Sequence, residues 1–143
     1  MKVKQLSIFL GDKPEGLEQV TRALEEANIN IRALSLAGAS DLAVLRLIVD
    51  EVEAAERILK EKGFTIGTAT VVAVEIPDRV GGLNAVLKLF SGRGITVEYM
   101  YAFVQRREEH AIMLFRFDRT DEAISLLLKN GMTLLSEKEL YRF

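Results

Sequence analysis

The sequence predicts an α+β protein in which one small βαββαβ unit occurs twice in tandem, each copy an antiparallel sheet with its helices on one face. An internal repeat is the first reason. Residues 3–40 overlay 69–106 at an offset of about 66, and 42–66 overlay 110–134 at about 68. Asp12, Gly16, Leu17, Val20 and Ile29 thus recur as Asp78, Gly82, Leu83, Val86 and Ile95. Past a longer second-copy loop, Ala43, Asp50, Ala55, Leu59, Gly63 and Thr65 recur as Ala111, Asp118, Ala123, Leu127, Gly131 and Thr133. The second reason is that the hydrophobic period alternates between strand-like and helix-like in the same order in both copies. The third is length, since 143 residues divide into two domains, 1–68 and 69–143. A domain of about 70 residues buries only about 60% of its unfolded surface. Each copy is therefore expected to lean on the other or on a second chain.

The elements follow in order. Leu6, Ile8 and Leu10 alternate with Gln5, Ser7 and Phe9, which is a strand. After the turn at Gly11-Asp12-Lys13-Pro14, Leu17, Val20, Leu24 and Ala27 form one helical stripe, with Glu15 and Glu18 in the first turn where the helix dipole favours acids. Alternation resumes at Ile29 and runs to Gly38, which with Ser40-Asp41 marks a hairpin. A strand carrying Ala43, Leu45, Leu47 and Val49 follows, then a helix with Val52, Ala55, Ile58 and Leu59 inward and Gly63 as its C-terminal cap. The second copy predicts a strand over 70–76, a helix over 81–93 and a strand over 95–105. It ends with a strand over 110–117, a helix over 119–130 and a strand over 132–136. This order is the ferredoxin-like arrangement. The stretch 64–76 reads as two strands joined near Gly67-Thr68.

Strand positions expected to face away from the helices are also apolar: Phe9, Leu34, Leu36, Val44 and Ile48, then Val71, Ala73, Met100, Ala102, Ile112 and Leu114. A one-sided sheet shows water a polar face, so these predict sheet-to-sheet packing between the copies or across a homo-oligomer, most simply a dimer. Tyr99, Tyr101 and Phe103 form an aromatic strand that reads as core or interface, with an aromatic-lined pocket as the alternative. Arg106-Arg107-Glu108-Glu109 reads as a solvated hairpin tip, and Tyr141-Arg142-Phe143 as a tail.

Composition narrows the chemistry. A net charge of −2 argues against a nucleic-acid partner, which demands a concentrated basic face. The absence of cysteine excludes disulfides, thiolate catalysis and Cys-ligated metals. Apolar runs fall well short of the ~18 residues of a membrane span. The basic start leads into a broken apolar stretch without a cleavage site, so a strand is expected there, in a cytoplasmic protein with no membrane partner. No phosphate-binding loop or serine-elbow motif is present, and the single histidine, His110, offers no cluster for a metal. No cofactor is called for. One arginine, Arg79, stands in the first loop of the second copy, too little for the phosphate cradle of a small phosphatase.

The turn between first strand and first helix is the distinctive feature of each copy: Asp12-Lys13-Pro14-Glu15-Gly16-Leu17 and Asp78-Arg79-Val80-Gly81-Gly82-Leu83. Both resemble the Asp-Arg-Pro-Gly-x-Leu signature of the ACT domain, a βαββαβ module that senses small molecules in regulators of amino-acid metabolism. Asn28-Ile29-Asn30-Ile31 and Gly94-Ile95-Thr96-Val97 are similar to that family's Gly-Ile-Asn-Ile entry into the second strand. The resemblance spans the chain twice. Each copy departs from it: Glu15 replaces glycine in the first, Val80 replaces proline in the second, and Thr96 stands where the first copy has Asn30.

The resemblance implies a non-enzymatic, regulatory protein that binds an amino acid or similar effector between ACT units and passes its output to a separate enzyme or regulator. It uses the turn of one unit and the second-strand start of the other, which nominates the two turn hexapeptides with Asn30, Ile31, Thr96 and Val97. Physically, unpaired amides at 15–17 and 81–83 suit an α-carboxylate, and Gly81-Gly82 lets a ligand approach the backbone. Asp12 or Asp78, with carbonyls near Asn30 or Thr96, suits the ammonium. The two aspartates suit helix or turn capping equally well. The broken signatures leave open an alternative, an association module that has lost ligand binding.

Overall fold

The structure, a computed structural model, describes residues 1–11 and 14–142. The first repeat runs β1 (Lys2–Gly11), α1 (Gly16–Glu26), β2 (Ile31–Ala37), a 3₁₀ turn (Ser40–Leu42), β3 (Ala43–Val49) and α2 (Val52–Glu61). Strand β4 (Thr65–Pro77) comes next. The second repeat continues through α3 (Gly82–Leu87), β5 (Val97–Ala102), β6 (His110–Phe117), α4 (Thr120–Lys129) and β7 (Thr133–Leu135), and α5 (Glu137–Leu140) closes the chain. Strand order is β2-β3-β1-β4 in the first repeat and β5-β6-β4-β7 in the second, so the duplicated ferredoxin-like topology is what the chain adopts. The compact units are Lys4–Ala69 and Thr70–Phe143, the latter together with Met1–Val3.

In the N-terminal unit, Leu6, Ile8 and Leu10 of β1 and Leu45, Leu47 and Val49 of β3 meet Val20, Leu24, Ala55 and Leu59 of the two helices. In the C-terminal unit, Val72, Val74 and Ile76 join Phe115, Phe117, Val86, Ala123 and Leu127 in the same way. Three helices end on one device, a left-handed residue that lets two amides return to the last turn. After α2, Gly63 (φ 89°) donates its N–H to the Lys60 carbonyl and Phe64 donates to Leu59. Gly131 (φ 77°) and Met132 repeat this after α4, as do Asn28 (φ 57°) and Ile29 after α1.

The structure corrects the sequence reading in four places. Residues 65–77 are one unbroken strand, not two. Gly67 keeps an ordinary φ and lies in a run of Thr, Ile and Val, so nothing there turns the chain. The first helix of the second repeat stops at Leu87, and residues 88–93 continue as i→i+3 turns broken by Gly92 (φ 74°) and Gly94 (φ 71°). An unforeseen helix, α5, begins at a capping box in which Ser136 and Glu139 satisfy each other's amides.

The fourth correction concerns the sheet faces. A bulge at Arg32 shifts the β2–β3 register, so Leu34 faces Leu47 and Leu36 faces Leu45, on the helix side. A bulge at the matching Glu98 likewise puts Met100 opposite Phe115 and Ala102 opposite Met113. Ile48, Val71, Ala73, Ile112 and Leu114 do lie on the far face and are buried in the single chain. Phe9 stays 48% exposed on that face, and Leu34 and Leu36 are about half exposed on edge strand β2. Tyr101 and Phe103 are buried among the core residues.

Candidate functional site

The turn of the second repeat begins where β4 ends, at Pro77 opposite His110. The Asp78 N–H donates to the Glu109 carbonyl (3.0 Å), the Arg79 N–H to the Pro77 carbonyl (2.9 Å) and the Gly82 N–H to the Arg79 carbonyl (3.0 Å). Gly81 caps α3 in the left-handed region, at φ 85°, and a Cβ there would meet open space. Gly82 is buried, and a Cβ on it would collide with the Pro77 carbonyl oxygen. One glycine is thus needed for the sign of φ and the other for room. Val80 projects fully into solvent and Leu83 is partly exposed. The α3 helix has only six residues, so few aligned peptides back the amides at 81–83 that the sequence offered to a carboxylate.

Asp78 does not cap α3. Its carboxylate pairs with the Arg106 guanidinium at 3.0 Å. The charged segment 106–109 is a solvent-exposed hairpin tip, as expected, and the pairing of β4 with β6 sets it beside the turn. Arg107 also reaches back, 3.9 Å from Glu75 and 3.8 Å from Glu139. The result is a polar hollow of about 520 Å³ lined by Pro77, Asp78, Arg79, Arg106, Glu109 and His110. Of this lining, Asp78 and Arg79 were candidates from the sequence. Arg106, Glu109 and His110 were not, because a charged run does not reveal its register partner.

In the first repeat, Asp12 and Lys13 lie outside the described residues, as does Phe143 of the tail. Pro14 and Glu15 are exposed; Glu15 occupies the N-cap of α1 without a side-chain bond, and its carbonyl accepts from the Gln19 N–H. Gly16 is buried and Leu17 partly exposed.

The second-strand starts are set apart from the turns. Eleven helical residues of α1 place Asn30 roughly 16 Å along from Glu15 in the same unit. Asn30 and Ile31 line a separate cleft of about 430 Å³ with Thr21, Leu24, Glu25 and Asn28. Thr96 and Val97 stand likewise beyond α3 and its turns, and Ile95 opens on a cleft of about 500 Å³ beside α4. In each unit an aspartate closes this corner. The Asn30 N–H donates to the Asp50 carboxylate (3.0 Å) and the Asp50 N–H to the Asn30 carbonyl (3.3 Å). Thr96 and Asp118 repeat the pair at 2.8 and 3.1 Å. The carbonyls expected to receive an ammonium are thus already accepting hydrogen bonds. Because the clamp uses backbone groups at residues 30 and 96, asparagine and threonine are interchangeable there. The recurrence of Asp50 as Asp118 was the signal for it. Asp118→Ala is expected to cost about 1 kcal/mol in urea denaturation, the net value of a solvent-facing hydrogen bond.

Among the described residues, no group of three or more His, Cys, Asp or Glu could hold a metal ion, and no helix is long and apolar enough to cross a membrane.

Comparison with known proteins places the chain. The family model described as an ACT domain pair matches residues 1–143. The crystal structure of protein BT0572 from Bacteroides thetaiotaomicron is 36% identical, with a TM-score of 0.92, covering 100% of this chain and 98% of that one. The regulatory subunit of aspartate kinase from Thermus thermophilus, solved ligand-free, shares the fold at 14% identity and a TM-score of 0.62, covering 90% of this chain and 92% of its own. The structure of aspartokinase alpha and beta subunits does so at 19% identity and a TM-score of 0.59, covering 90% of each chain. No curated protein matches. Over its whole length the chain belongs to the ACT-domain family, as a pair of ACT domains in one polypeptide.

Proposed function

We propose that this protein senses an amino acid and reports it by changing its association, with a second copy of itself or with a separate enzyme or regulator. The observation that carries this reading is Arg79. It stands at the rim of the polar hollow with no ion-pair partner among the described residues, in a turn whose two glycines keep side chains away from an approaching molecule. A guanidinium held open in this way suits a carboxylate, which it can meet with two parallel hydrogen bonds. The family supports the reading, as does the regulatory role named for the aspartate kinase subunit that shares the fold. A cysteine-free chain fits a reducing cytoplasm. Regulation would be linkage, with ligand favouring one assembly by its differential affinity, a coupling of typically about 1–3 kcal/mol.

A thermal-shift screen against the twenty amino acids, with size-exclusion chromatography of any hit, tests this. One amino acid at about 100 times its dissociation constant is expected to stabilise the fold by about 2.7 kcal/mol. The second reading, a pure association module, draws on the exposed Leu34 and Leu36 of edge strand β2. It would take over if none of the twenty moved the midpoint.

A further inference from the structure

We propose that the hollow in the C-terminal unit is a zwitterion site, built jointly by the 78–79 turn and the 106–110 hairpin, that takes one polar amino acid per chain. This deepens the amino-acid reading and rests on it. The charges of the lining sum to zero: Arg79 and Arg106 against Asp78 and Glu109. Arg106 and Asp78 already neutralise each other at 3.0 Å. That leaves one cation and one anion, Arg79 and Glu109, without ion-pair partners among the described residues. A zwitterion satisfies both, its carboxylate on Arg79 and its ammonium on Glu109. A dianion or a simple amine would engage only one of the two.

The volume, about 520 Å³, lies within the span of small-molecule sites. Pro77 is the only apolar residue of the described lining, while His110 adds an imidazole that donates or accepts. A side chain with hydrogen-bonding capacity therefore fits better than that of leucine or phenylalanine. The Arg106–Asp78 pair fixes the hairpin over the turn, which makes Arg106 a positioning residue. Among its described residues, which leave out Asp12 and Lys13, the first repeat does not build this hollow. It joins β2 to β3 through the short 3₁₀ turn Ser40–Leu42, and the exposed Leu42 takes the place of His110. One ligand per chain follows.

His110 is the sole histidine, so the full chain labelled with ¹⁵N-histidine carries one imidazole reporter at the site. Each of the twenty L-amino acids is titrated while imidazole resonances are followed, and any stabilising one is measured by calorimetry. A polar amino acid is expected to move the His110 signals and bind once per chain. Arg79→Ala and Glu109→Gln should each weaken it about tenfold or more, the value of a charge-assisted hydrogen bond. Lys129→Ala, at the α4 cleft, should not weaken it. Both site residues are solvent-facing, and circular dichroism of each variant checks that the fold is kept. Binding that leaves His110 unmoved and both variants at wild-type affinity overturns the site while the sensing role stands. So does a preference for leucine or phenylalanine, or a stoichiometry of two. No binding by any of the twenty overturns the sensing role and this site with it.

Discussion

Phe115→Ala is expected to destabilise the C-terminal unit by about 4 kcal/mol, within the usual range for emptying a buried phenylalanine site. Phe115 is completely buried on the helix face of β6 and stacks on Phe117 with ring centroids 5.5 Å apart; Phe117 in turn meets Phe90 at 4.9 Å. Truncation removes transfer energy and leaves a void beside the Phe117 ring, which its contact with Phe90 helps hold in place. Small domains have only about 5–15 kcal/mol in total, so one substitution consumes roughly a quarter of it or more. Urea denaturation monitored by far-ultraviolet circular dichroism reads the loss. Leu128→Ala, at a 46% exposed position of α4, should change stability by less than about 0.5 kcal/mol. Equal costs for the two would mean that Phe115 is not in the core. The corresponding residue of the first repeat is Leu47, equally buried, so the aromatic stack is particular to the second unit.

Much of this fold can be read from the chain because its signals are local. The alternation of Leu6, Ile8 and Leu10, the stripe of Val52, Ala55 and Leu59, and Gly63 at a helix end each declare an element from its own neighbours. What escaped depends on partners distant in sequence. The bulges at Arg32 and Glu98 reverse which side Leu34 and Met100 face, yet the residues around them alternate as any strand does. Ser136 and Glu139 did carry a local signal, a capping box three residues apart, and it marks α5. At the candidate site only the turn was visible. Pairing of Pro77 with His110 is what brings Arg106 and Glu109 to Asp78, and no spacing rule predicts that register from charged residues alone.

The glycine pair of the second turn separates architecture from recognition. Gly82→Ala is expected to cost about 3 kcal/mol, at the upper end for overpacking, because the new methyl would press on the carbonyl of Pro77. A backbone oxygen cannot rotate aside as a side chain does. Relief requires β4 and α3 to part, opening the bonds from Gly82 to Arg79 and from Arg79 to Pro77. Gly81→Ala faces open space, so its cost is the left-handed backbone alone, about 1 kcal/mol. Denaturation midpoints of the two variants therefore diverge, though they differ only in which neighbouring glycine gains a methyl. If Gly81→Ala proved the costlier, the turn would have a different shape and Arg79 a different setting. The expected order has a practical consequence. Ligand binding lost in Gly82→Ala would reflect a broken turn, whereas binding altered in Gly81→Ala would report on the surface that a ligand meets.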